Sequence, residues 1–168
     1  AEIMADIGQG LPAAKRVGLG GRGLIGADLM TALRQALPGV EWIDVEDALC
    51  DVRARKSAAE IDVIRRAYRI AQAGFDAGVA ALRPGVTERE VAAVIEATMR
   101  REGAEGTGID TIVASGPNTR PILARTTFRP IGNDDSVLLT IAPRYEGYHA
   151  AIGRVVLVGH PGDAAPVS

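Results

Sequence analysis

The sequence predicts an α/β chain in two parts: a strand–helix–strand unit over residues 1–52 and a larger helices-then-sheet unit over residues 53–168. Three observations carry this. Short apolar stretches bracket an amphipathic segment before residue 52, the spacing of the last βαβ unit of an α/β domain. Two capping-box patterns, Ser57 with Glu60 and Thr87 with Glu90, each open a long helical periodicity. After Gly106 the period shortens to that of paired strands rich in β-branched residues.

In chain order, Arg16–Leu19 is read as a strand, Leu24–Leu37 as an amphipathic helix stopped by Pro38-Gly39, and Glu41–Val45 as a second strand. From Ser57, apolar residues at Ile61, Ile64, Tyr68, Ala71, Phe75, Gly78 and Leu82 recur at steps of three and four. That spacing predicts one inward face on a helix ended by Pro84-Gly85. The helix capped by Thr87 should turn Val91, Val94, Ile95, Thr98 and Met99 inward and stop at Gly103. Ile109–Ala114 reads as a strand, and Ser115-Gly116-Pro117-Asn118 as a turn. Ser136–Ile141 and Tyr148–Val158 read as strands joined by a loop from Pro143 to Gly147, with a fraying tail from His160.

Composition narrows the function classes. A formal charge of -2 leaves no basic surplus to recruit nucleic acid or anionic lipid. No apolar run is long enough to span a membrane, and the opening AEIMADIGQG lacks the layout of a signal peptide. Cys50 is the single cysteine, so no internal disulfide forms and a cytoplasmic location is the expectation. The Gly18-Leu19-Gly20-Gly21 run misses the spacing of a dinucleotide loop.

Four stretches, KSAAEIDVIRRA, RPGVTEREVAAVIE, IVASGPN and VLLTIAPRYEGYHAAIGRVVLVG, follow one another in order across residues 53–159. Together they resemble the first half of the pita-bread superfamily, that of aminopeptidase P, prolidase and creatinase. Residues 14–52 resemble the end of the amino-terminal domain that precedes it. The resemblance implies the pita-bread fold, first αβ half, behind the end of an amino-terminal α/β domain.

It also implies where a pocket should lie. Active members carry two metal-binding aspartates, eleven positions apart on the two strands of a hairpin, and the matching positions here are Thr140 and Ala151. If the hairpin turns about Tyr145-Glu146, Thr140 faces Ala151 and Ala142 faces His149. The family's histidine after the SGPN turn is matched by Leu123 and Ala124. Its other metal ligands belong to a second half-fold that this sequence does not contain. No metal and no other cofactor is therefore expected.

The remaining candidates each have a plain reading beside a functional one. His149, on the same strand face as Ala151, is a relocated base or a solvent-facing strand histidine. Arg154 is an anchor for a substrate carboxylate or half of a structural ion pair. Arg120, Arg125 and Arg129 attract an anionic ligand or line a solvated loop, and Cys50 is a buried small residue. Asp134-Asp135 is turn chemistry, since adjacent strand residues point to opposite faces.

The resulting expectation is a degenerate or repurposed member of the family that binds a peptide-like or small polar ligand. The alternative is a metal-independent, creatinase-like hydrolase of C–N bonds completed by a missing half or a partner. An Xaa-Pro metalloaminopeptidase ranks third. The open half-fold further implies a homo-oligomer or a partner that supplies the second half.

Overall fold

In the computed structural model, residues 14–159 are described. The fraying tail expected from His160 lies outside them. The chain divides into two compact units, Ala1–Lys56 and Ser57–Ser168.

The first unit is a small parallel βαβ arrangement. Strand β1 (Arg16–Leu19) pairs in parallel with β2 (Glu41–Asp44), and helix α1 (Ala27–Ala36) connects them. Helix α1 starts later than its apolar pattern suggests. Leu24 sits in a separate 3-10 turn (Arg22–Leu24), and extended Gly26 occupies the cap position without a side-chain hydrogen bond. Two nearby glycines, Gly23 and Gly26, weaken helix formation there. Helix α2 (Glu46–Ala54) follows and buries none of its residues. Cys50 is accordingly exposed, not the buried small residue expected.

The second unit packs helices α3 (Ala58–Ala81) and α4 (Glu88–Arg101) against antiparallel strands. Both capping boxes form: Ser57 accepts from the Glu60 N–H and Thr87 from the Glu90 N–H, while each glutamate accepts from the cap residue's own N–H. Helix α4 ends in a Schellman motif. Gly103 takes φ 106°, Ala104 N–H donates to the Met99 carbonyl and Gly103 N–H to that of Arg100.

The buried stripe of α3 is Ala67, Ile70, Ala71, Gly74 and Gly78, whereas Ile61 and Tyr68 are exposed. The expected face is thus rotated toward the small residues. Their size explains it: a Cβ on Gly74 would lie 2.6 Å from Met99 Cγ, and one on Gly78 2.7 Å from Ile95 Cδ1. The two helices approach through glycine, and α4 meets them with Val91, Ala92, Ile95 and Met99, leaving Val94 exposed.

Two three-stranded sheets complete the unit. One runs β4 (Ile112–Ser115), β5 (Ser136–Ile141), β8 (Ile152–Leu157); the other runs β3 (Gly106–Thr107), β6 (Pro143–Tyr145), β7 (Tyr148–His149). The strand expected at Ile109–Ala114 thus begins at Ile112, and the expected continuous strand Tyr148–Val158 breaks at Ala150-Ala151. Val137, Leu139 and Ile141 of β5 face the helices and join the main core with Ile70, Ile95 and Val156.

The hairpin differs from its sequence reading in a way that matters for the site. Pro143–Tyr145 is strand, and the loop is only Glu146-Gly147, with φ 46° and 75°. Two successive positive φ values are those of a type I′ turn, which matches the twist of paired strands. The turn centre lies one residue later than expected, so the register slips by two: Thr140 pairs with Gly153 and His149 with Arg144.

Candidate functional site

Alternation along β5 sorts the sheet into two faces. Thr140, Leu138 and Ser136 lie opposite Gly153, Val155 and Leu157 of β8, on the face turned away from the helices. Ile112 of β4 pairs with Thr140 from the other side. Thr140 therefore has a bare glycine on one flank and an isoleucine on the other, not Ala151 directly across. Ala151 belongs to neither β7 nor β8 and sits at the break before β8. This face presents one threonine hydroxyl at its centre and no ionisable group on the paired positions.

The other predicted residues are dispersed. Arg154 pairs with Leu139 and so lies on the helix-side face, opposite to Thr140. It lines a groove of ≈ 480 Å³ with Ala151 and with Tyr68, Gln72 and Phe75 of α3. Its guanidinium donates to the Gly153 carbonyl at 2.7 Å and has no ion-pair partner among the described residues, so the structural ion pair expected for it does not form. His149 belongs to the small sheet, where its ring covers Gly108, and the break at Ala150 separates it from Ala151. The alternation that linked His149 to Ala151 does not run through. Leu123 lines a second groove of ≈ 420 Å³ together with Thr111, Ile112 and Arg125. Since Ile112 is the cross-strand partner of Thr140, this groove borders the Thr140 face.

Behind the groove lies a polar cluster centred on Glu88, a residue not singled out from the sequence. Glu88 is fully buried at the first position of α4. Its carboxylate accepts from the Ser115 N–H and hydroxyl at 2.7 Å each, and from Asn118 Nδ2 at 2.9 Å. It also accepts from the Thr127 N–H at 2.8 Å and hydroxyl at 2.7 Å. Burial alone would raise its pKa, but the hydroxyl and N–H donors of Thr127 and Ser115 outweigh that and hold it below the ordinary carboxylate range. One carboxylate thereby ties the SGPN turn to the segment after Leu123. Helix α4 strengthens the tie, because its Glu88 and Arg89 N–H groups donate to the carbonyls of Arg129 and Thr127.

Arg129 extends the cluster. It donates to Ser115 Oγ and to Asp135 at 2.6 Å, and its hydrogen bond keeps the Asp135 carboxyl below its usual range. Of the three loop arginines, Arg129 is thus structural. Asp134, at φ 60°, and Asp135 serve the turn before β5, as expected.

The profile of Metallopeptidase family M24 matches residues 62–166. The chain belongs to this family. Its alignment with the Xaa-Pro dipeptidase of Pyrococcus horikoshii is 34% identical over 123 residues, 73% of this chain and 35% of that protein. The X-Pro aminopeptidase of Thermotoga maritima superimposes with a TM-score of 0.87 at 31% identity, covering 97% of this chain and 47% of that one. The prolidase of Pyrococcus horikoshii gives 0.85 at 30% identity, covering 95% and 45%. The M24 chain described here therefore has the pita-bread architecture and spans less than half the length of these relatives.

Proposed function

We propose that this M24 domain is not a working metallopeptidase and that its former catalytic face binds a peptide-like or small polar ligand. The observation that supports this is the Thr140 position. A hard divalent metal takes carboxylate or other anionic oxygen ligands, and a neutral hydroxyl between Gly153 and Ile112 does not fit one. Among the described residues no three His, Cys, Asp or Glu side chains gather closely enough to hold an ion.

The creatinase-like alternative needs an acid–base group near the same face. The resemblance implies that Leu123 and Ala124 take the place of the family's histidine, and His149, the one described histidine, lies in the small sheet. Incubated with an Xaa-Pro dipeptide and manganese or cobalt, the protein is expected to release proline no faster than buffer. Release at the rate of an active dipeptidase assayed alongside would contradict the proposal.

The open sheet face bears Leu138, Val155 and Leu157, the last two about two-fifths exposed. We propose that this apolar face is covered by a second copy of the chain or by a partner that supplies a matching αβ layer. Sedimentation at micromolar concentration is expected to show association of the purified chain, or capture of added partner. A sharp monomer near 17.5 kDa under both conditions would contradict it. Neither nucleic acid nor a membrane is proposed as a partner. The net charge is -2, and among the described residues no helix is long and apolar enough to cross a bilayer.

A further inference from the structure

Strand β8 is an edge of its sheet, paired with β5 on one side and with no strand on the other among the described residues. Just beyond it, the Val158 N–H donates to the Asp135 carbonyl and the Val158 carbonyl accepts from the Asp134 N–H. Val158 thus turns both backbone groups toward β5. Alternation along an antiparallel strand then aims the N–H and carbonyl groups of Gly153, Val155 and Leu157 outward. All three residues are exposed. An edge of this kind is a template for pairing with another chain.

The side chains suit a strand identical to this one. In a two-fold antiparallel pair centred on Val155, Val155 meets its own copy and Leu157 lies opposite Gly153. Gly153 leaves room for it, since a Cβ there would meet only Thr140 Oγ1, at 3.7 Å. A pair centred on Arg154 would instead set two guanidiniums against each other.

Charge favours the same arrangement. Arg154 lines the groove beside Tyr68, Gln72 and Phe75, and no carboxylate lies within ion-pair distance among the described residues. Gln72 of that groove donates to Asp76 at 2.8 Å, and Asp76 likewise lacks a cation. One rim therefore carries an unpaired cation and an unpaired acid, so each copy offers what the other needs. In the single chain the Arg154 guanidinium caps the outward Gly153 carbonyl. In the pair that carbonyl takes the Leu157 N–H of the second copy, which frees the guanidinium.

We infer that two copies of the chain join edge to edge through β8, with Arg154 of each paired to Asp76 of the other. The inference rests on the association proposed above for the open sheet face and adds the partner, a second copy, and the register.

The test is sedimentation equilibrium of the whole chain and of charge-reversed variants, with circular dichroism confirming that each variant folds. Wild type is expected to dimerise. Arg154→Asp and Asp76→Arg should each weaken self-association at least about tenfold by bringing like charges together. Mixed in equal amounts, the two variants should pair with each other about as tightly as wild type, because each supplies the charge the other lost. Gly153→Val should weaken dimerisation by filling the space opposite Leu157. A wild-type dimer that neither reversal weakens, or a mixture that recovers no pairing, overturns the β8 assignment and leaves association through another surface standing. A wild-type chain that stays monomeric, with or without added partner, removes both.

Discussion

Replacing Glu88 with alanine is expected to remove about 3–5 kcal/mol of folding stability, a large part of what a domain of this size possesses. The side chain is fully buried and accepts from Ser115, Asn118 and Thr127, so its loss strands several donors at once. Glu88→Gln keeps the shape but brings an amide N–H₂ toward groups that are themselves donors, and it should recover only part of the loss. Urea midpoints for the three proteins, at constant m-value, measure this.

The same carboxylate predicts a pH dependence with a definite sign. Hydrogen bonding holds its folded pKa below the ordinary value despite burial, so the unfolded chain binds the proton more readily. The stabilisation is fully present above the unfolded carboxylate pKa and is lost as pH falls through the folded one. The stability gap between wild type and Glu88→Gln should therefore hold at neutral pH and narrow in acid. A gap that widens in acid would show that the carboxylate is not the stabilising form.

Ile95→Ala is expected to cost about 2–5 kcal/mol, the range for truncating a buried aliphatic side chain. Ile95 is fully buried and fills the space beside Gly78 in the α3–α4 contact. The reverse change, Gly78→Ala, should cost about 1–3 kcal/mol by overpacking, since the new methyl meets Ile95 Cγ1 and Cδ1 at 2.7 Å. Ile95→Ala removes those two carbons. The double variant should then be less destabilised than the two single losses added together. Strict additivity would mean that the helices part to admit the methyl and that the glycine contact is not a tight one.

Local chemistry made much of this architecture legible. The two capping boxes locate the starts of α3 and α4, Gly103 locates the end of α4, and β-branched alternation locates β5 over its full length. Each depends on residues within one turn or one strand of each other. The face of α3 is legible at Ala71 and Gly78 but not at Ala67 and Gly74, because periodicity weights large apolar side chains, while a close helix pair selects small ones.

The hairpin register was misjudged for a similar reason. Pro143 reads as a loop residue, and Glu146-Gly147 lacks the Asn-Gly or Asp-Gly pair that usually marks a type I′ turn. Moving the turn by one residue displaced every cross-strand pair by two. Glu88 gave no warning, because an acid in the first turn of a helix is ordinary and its burial depends on partners 27 to 39 residues away.

The neutral hydroxyl of Thr140 is the point on which the proposed function turns, and metal content tests it most directly. The protein as the cell makes it should be purified, saturated with manganese, cobalt or zinc, freed of loose ions by gel filtration, and analysed for bound metal. The reading predicts far less than one ion per chain, unchanged when Thr140 is replaced by valine. Near-stoichiometric metal that is lost in Thr140→Val would place a working metal site on the hairpin and contradict it.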